Sequence, residues 1–186
     1  MKNYLFQPHN QRFPDMWRFI KQHINFKDKV LLDLGCGYGD LLLHARQAGS
    51  TVFGIENDPA IVLTLCEMKL PIIAEDIDRL ILENLNLWDF GHDINVDIAA
   101  CMSVLPYLND PDAALDYLRQ IAPTVILEVQ YAGDGPGFDF IKNDIDMLMW
   151  LSEYWKYPTV MGRTFVSGRN KYRTVWLCES CSEKES

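Results

Sequence analysis

Apolar residues in the middle of the chain gather into short continuous runs, separated by stretches with helical spacing. Five such runs are Val30–Leu34, Thr51–Glu56, Pro71–Glu75, Val96–Cys101 and Thr124–Val129. Runs of this length, rich in Val, Ile and Leu, predict strands buried on both faces. Between them, Leu41, Leu42 and Ala45 recur at helical spacing, as do Ala114, Leu115, Leu118 and Ile121. Asp58-Pro59 and Asp110-Pro111 each supply a cap and a first-turn proline. Gly49 stops the helix that begins near Asp40. Residues 77–90 read as helical or irregular and are broken at Gly91. Ahead of the first run, Pro14 opens a helix with Met16, Trp17, Ile20 and Ile24 on one face. After the fifth, a helix is predicted over 139–155, then strands over 159–166 and 172–178, joined by a hairpin turn at Ser167–Lys171. Alternating β and α units imply an α/β three-layer sandwich with a mostly parallel sheet. The closing hairpin adds an antiparallel strand near one edge.

The turn after the first strand carries the candidate chemistry. It reads Asp33-Leu34-Gly35-Cys36-Gly37-Tyr38-Gly39-Asp40 and leads straight into a helix. Glycines allow a sharp bend and close approach of a ligand. A helix N-terminus offers unpaired N–H groups to an anion. A nicotinamide or flavin fingerprint needs G-x-G-x-x-G. Counted from Gly35, the sixth position is Asp40, and from Gly37 it is Leu42, so neither register fits.

With Gly54-Ile55-Glu56, Ala74-Glu75-Asp76-Ile77 and the terminal hairpin, this turn resembles the class I S-adenosylmethionine-dependent methyltransferases of small-molecule type. The resemblance covers about residues 30–178. It implies seven strands in the order 3-2-1-4-5-7-6, with strand 7 antiparallel. Residues 1–29 are then a helical segment closing over cofactor or substrate, 30–178 the methyltransferase domain and 179–186 a mobile tail. It implies S-adenosylmethionine as cofactor. Gly35, Cys36, Gly37 and Gly39 would meet its carboxylate, and Asp33 would support the loop or the ammonium group. Glu56 would hold the ribose hydroxyls, by the logic that places an acid after the second strand of dinucleotide sites. Asp76 and the Ile77 N–H would meet the adenine edge, with Asn57 and Ile77 flanking the ring, although Asp76 also reads as a helix cap. Cys101 and Ser103, after the fourth strand, would lie beside the methyl group. Ser103 and Tyr107 are candidates for the acceptor pocket. The hairpin turn should sit at the strands' carboxyl edge, which brings Arg169 and Lys171, with Arg173 nearby, to the cleft rim, where they suit an anionic acceptor. No general base is assigned and no metal is expected.

Charge limits the partners. The 186 residues carry a net charge of −9, which argues against DNA and against a large nucleic-acid footprint. Residues 30–155 hold twenty-one acidic and five basic residues, whereas residues 154–178 hold five basic and no acidic ones. The basic ends leave protein or RNA methylation open as the alternative function, along with a catalytically inactive cofactor-binding module. Five scattered cysteines fit reduced thiols rather than a disulfide framework. No apolar run reaches membrane-spanning length and the start lacks a signal-peptide core, so a cytoplasmic location is expected. Oligomeric state has no signature in the sequence.

Overall fold

In the computed structural model, which describes residues 13–133, 138–166 and 171–180, the apolar runs form the strands they predict. They are β1 (Val30–Leu34), β2 (Thr51–Glu56), β3 (Ile72–Ala74), β4 (Ile98–Met102) and β5 (Thr124–Glu128), followed by the hairpin strands β6 (Thr159–Val166) and β7 (Lys171–Glu179). The helices are α1 (Phe13–His23), α2 (Asp40–Gln47), α3 (Pro59–Glu67), α4 (Ile77–Leu82), α5 (Pro111–Ile121) and α6 (Asp144–Leu151). One seven-stranded sheet has the order β3-β2-β1-β4-β5-β7-β6, with β7 antiparallel to both neighbours. This is the strand order that the resemblance implies.

Both faces of the sheet are covered, which is why the strands read as continuous runs. Leu32, Leu34, Phe53, Ala99, Leu127 and Trp176 pack on the face that carries α5 and α6. Leu31, Val52, Ile98, Ile126, Val175 and Leu177 pack on the face that carries α1 and α2. α1 buries Phe13, Met16 and Ile20, and lies against β6 and α2. Among the described residues no helix is long and apolar enough to cross a membrane.

Where boundaries differ from the pattern, two of them have a side chain that takes a backbone N–H at the new boundary. β4 begins at Ile98 because Asp97 is occupied ahead of it. Its carboxylate accepts the Val30 N–H at 2.9 Å and pairs with Lys29 at 3.0 Å. The helix expected over 139–155 is shortened to α6. The Asn143 side chain accepts the N–H groups of Ile145 and Asp146, which fixes the helix start there.

Gly54 lies in the middle of β2, where a methyl group has no room. A Cβ there would stand 2.6 Å from Cys36 Sγ and 2.8 Å from the Ile72 and Leu42 side chains. Gly54→Ala should therefore overpack the core by about 1–3 kcal/mol and push Cys36, and with it the glycine turn, out of position. Thermal unfolding should show a Tm several degrees lower. An unchanged Tm would mean that the turn can yield without cost.

Candidate functional site

The site begins with the bond between Glu56 and the glycine turn. Glu56 ends β2, and its Oε2 accepts the Gly37 N–H at 3.0 Å. Its Oε1 accepts the N–H groups of Asn57 and Asp58, each at 2.9 Å. Three backbone donors thus hold one carboxylate in a single orientation. The other amides of the turn are also used. Gly35 and Cys36 both donate to the Ile55 carbonyl at 3.0 Å, and Gly39 donates to the Cys36 carbonyl at 2.9 Å. The turn is therefore knitted to β2, and the open cradle of N–H groups expected at Gly35, Cys36 and Gly39 is not what these donors form. Glycine is required here for its backbone: φ is +69° at Gly35, +51° at Gly37 and +76° at Gly39. At Gly37 a Cβ would meet nothing within 4 Å, so space lies open above the turn.

Beneath the turn, Asp33 is buried and its Oδ1 has no hydrogen-bond partner among the described residues. Burial, with the Glu56 charge beside it, pushes its carboxyl up to about 8. Cys36 and Cys101 are also buried, and burial followed by the charge of Asp33 raises both thiols, so neither is a ready nucleophile.

A cleft of about 350 Å³ opens at the carboxyl ends of β1, β2 and β4. Gly35, Glu56, Asn57, Asp76 and Ile77 line one side, and Met102, Ser103, Val104 and Tyr107 the other. Asp76 serves in two ways. It caps α4 by accepting the Arg79 N–H at 3.3 Å, and its other oxygen accepts from Asn57 Nδ2 at 3.1 Å along the cleft. Of the predicted residues, Asp33, Cys36, Gly37, Gly39 and Cys101 are not among those that line this cleft. Lys171 is described only in its backbone, as the first residue of β7, and Arg169 lies outside the described residues. β6 runs parallel to β5, so its Val166 end and the Lys171 start of β7 lie at the same carboxyl edge. A wider hollow of about 640 Å³, lined by Trp17, Lys21, His23, Phe26 and His44, lies where α1 and α2 end. That is the opposite end of β1, away from the glycine turn.

A second cluster, absent from the sequence reading, abuts the cleft at Ser103. Glu128, the last residue of β5, is fully buried. Its Oε2 accepts the Ser103 hydroxyl, and its Oε1 accepts from Thr164 Oγ1 at 3.3 Å. Arg173 turns inward rather than to the rim. Its Nη1 donates to Ser103 Oγ at 3.0 Å and stands 4.0 Å from Glu128 Oε2. The signal in the sequence was an acid closing an apolar strand and an arginine inside another.

A family profile described as a methyltransferase domain matches residues 8–171. The chain belongs to this methyltransferase family. Solved structures agree on the fold. A magnesium protoporphyrin IX methyltransferase from Synechocystis PCC 6803 with bound S-adenosylmethionine superposes with a TM-score of 0.65 at 15% identity, over 92% of this chain and 79% of that one. A putative S-adenosylmethionine-dependent methyltransferase from Listeria monocytogenes gives 0.63 at 12%, over 90% and 98%. The bifunctional kinase-methyltransferase WbdD gives 0.64 at 18%, over 93% of this chain and 40% of its own. No curated protein matches the chain in sequence.

Membership in a methyltransferase family implies S-adenosylmethionine as the cofactor, and the residues present suit it. The cofactor carries an ammonium and a sulfonium, both cationic. The methyltransferase presents Glu56, Asp76 and Asp78 in the cleft. Beneath the turn is Asp33, one oxygen of which has no hydrogen-bond partner among the described residues. Open space above Gly37 admits a ligand where any side chain would intrude.

Proposed function

We propose that the methyltransferase binds S-adenosylmethionine in the cleft between Glu56 and Ser103 and methylates a small-molecule acceptor there. The observation that carries this reading is the Glu56 carboxylate. Three backbone N–H groups aim it at the cleft wall, where an oriented acceptor suits a ribose diol. In this reading Asp33 faces the ammonium group, Asp76 and Ile77 meet the adenine edge with Asn57 beside it, and Ser103 and Tyr107 border the acceptor. The cofactor, when bound, supplies a methyl group already activated by positive sulfur; the protein supplies alignment.

An anionic acceptor is favoured by Arg169 and Lys171 in the basic stretch 154–178, where β6 gives way to β7 and the joined strand ends lie at the carboxyl edge. A chain of net charge −9 is a poor partner for nucleic acid. Calorimetry with S-adenosylmethionine tests the first claim, and failure to bind would remove the reading altogether. Turnover with a metabolite mixture tests the second. The double charge reversal Arg169→Glu/Lys171→Glu should raise KM for the acceptor several-fold and leave cofactor affinity unchanged. An unaltered KM would count against an anionic acceptor.

A further inference from the structure

Ser103 combines three features at the edge of the cleft. Its φ is +63°, a left-handed conformation in a residue other than glycine, which persists only where the surroundings impose it. Its N–H donates to the Glu128 carbonyl at 2.7 Å. Its hydroxyl donates to the Glu128 carboxylate and accepts from Arg173. A serine hydroxyl has one proton and two lone pairs. The proton is committed to Glu128 and one lone pair to Arg173. What remains at Ser103 Oγ is a single lone pair, on a residue that lines the cleft.

We infer that Ser103 Oγ, polarised by Glu128 and Arg173, is the hydrogen-bond acceptor for the methyl acceptor, and selects a nucleophile that carries its own proton: a hydroxyl or an N–H. This rests on the methyl-transfer reading above. It excludes thioethers, tertiary amines and other nucleophiles without a proton, because they would set a lone pair against a lone pair. The proton has a route. As the nucleophile's electron pair forms the new bond to carbon, the carbon–sulfur pair returns to sulfur. The nucleophile's proton then passes to Ser103 Oγ, and the hydroxyl's own proton passes to Glu128 Oε2. Glu128 is left neutral until, after the product leaves, the proton passes back through Ser103 Oγ to water that enters the cleft. Ser103 is the catalytic residue; Glu128 and Arg173 act through it as positioning residues. The groups facing Glu128 include Ser103 after β4, Thr164 on β6 and Arg173 on β7.

Ser103→Gly is the informative variant, since glycine keeps the left-handed backbone while the hydroxymethyl group is lost. The probes are hydroxyl and amine compounds, each paired with its fully methylated counterpart, incubated with the enzyme and labelled S-adenosylmethionine. The wild type should methylate only the protic members. Ser103→Gly should bind S-adenosylmethionine normally by calorimetry and lose about 100-fold or more in kcat. Glu128→Gln can present an N–H to Ser103 and turn the hydroxyl proton into the cleft. It should lower kcat similarly while KM for the cofactor holds. Binding of the protic probes to the S-adenosylhomocysteine complex, followed by NMR, should disappear in Ser103→Gly. Methylation of an aprotic member, full activity in Ser103→Gly, or cofactor binding with no protic compound methylated would each overturn the inference. Absence of cofactor binding by the wild type would instead sink the methyl-transfer reading on which it stands.

Discussion

Replacing Glu56 by Gln should weaken S-adenosylmethionine binding at least about 100-fold, although the side chain keeps its length and shape. The wild-type carboxylate accepts from Gly37 on one oxygen and from Asn57 and Asp58 on the other. A carboxamide has only one oxygen. Whichever way it turns, its NH₂ group faces a backbone N–H. Turned one way it abandons Gly37 and frees the glycine turn; turned the other it abandons Asn57 and Asp58. A buried donor left without a partner costs about 1–3 kcal/mol, which should appear as a lower Tm without ligand. The loss of affinity is larger, because hydrogen bonds to a charged acceptor contribute about 1.5–3 kcal/mol each and a ribose diol offers two. Calorimetry on wild type, Glu56→Gln and Glu56→Ala separates the effects. Glu56→Ala removes both the turn contacts and the diol contacts, and should be the weaker binder of the two variants. Wild-type affinity in Glu56→Gln would mean that the carboxylate only braces the turn.

The strands were legible because their environment is uniform. Val30–Leu34 and Thr51–Glu56 are buried on both faces, so each announces itself as an unbroken apolar run, and both boundaries are found as predicted. Boundaries set by one side chain were not legible. The start of α6 depends on the Asn143 cap, and the apolar residues before it suit a turn or a helix equally well.

The candidate site divides along similar lines. Gly35, Glu56 and Asp76 sit at strand ends or in a glycine turn, positions that topology alone brings together, and the cleft joins them. What the turn's amides do was not legible, because the Ile55 carbonyl that takes two of them belongs to the neighbouring strand. The cluster at Ser103 was hidden more deeply. Ser103 is 25 residues from Glu128 and 70 from Arg173. No local pattern links an acid closing β5 to an arginine on β7. A buried charge is recognised only when its partner is seen, and the pairing here requires the antiparallel register that sets Glu128 opposite Val175.

Asp33 gives the pH dependence. Its carboxyl is raised from 3.8 to about 8, by burial first and by the Glu56 charge second. In the unfolded chain it titrates near its ordinary value. Below that value both states hold the proton and the group costs nothing. As pH rises from about 4 to about 8, the unfolded state ionises while the folded state keeps its proton, so stability falls through this window. Every tenfold difference in proton affinity between the two states is worth about 1.4 kcal/mol, which makes the loss at pH 8 several kcal/mol. Asp33→Asn cannot ionise. It should match the wild type near pH 4 and exceed its stability by several kcal/mol at pH 8, read as the urea midpoint against pH. Binding should show the reverse preference. A cationic ammonium group favours the ionised carboxylate, so S-adenosylmethionine should expel the proton that free Asp33 holds at pH 7. Calorimetry in phosphate and in Tris, whose ionisation enthalpies differ, should report release of close to one proton, and affinity should strengthen from pH 6 to 8. Asp33→Asn should abolish the release and weaken binding even as it stabilises the fold. Equal heats in the two buffers, or an asparagine variant no more stable at pH 8 than at pH 4 relative to wild type, would show that Asp33 is ionised in the free protein.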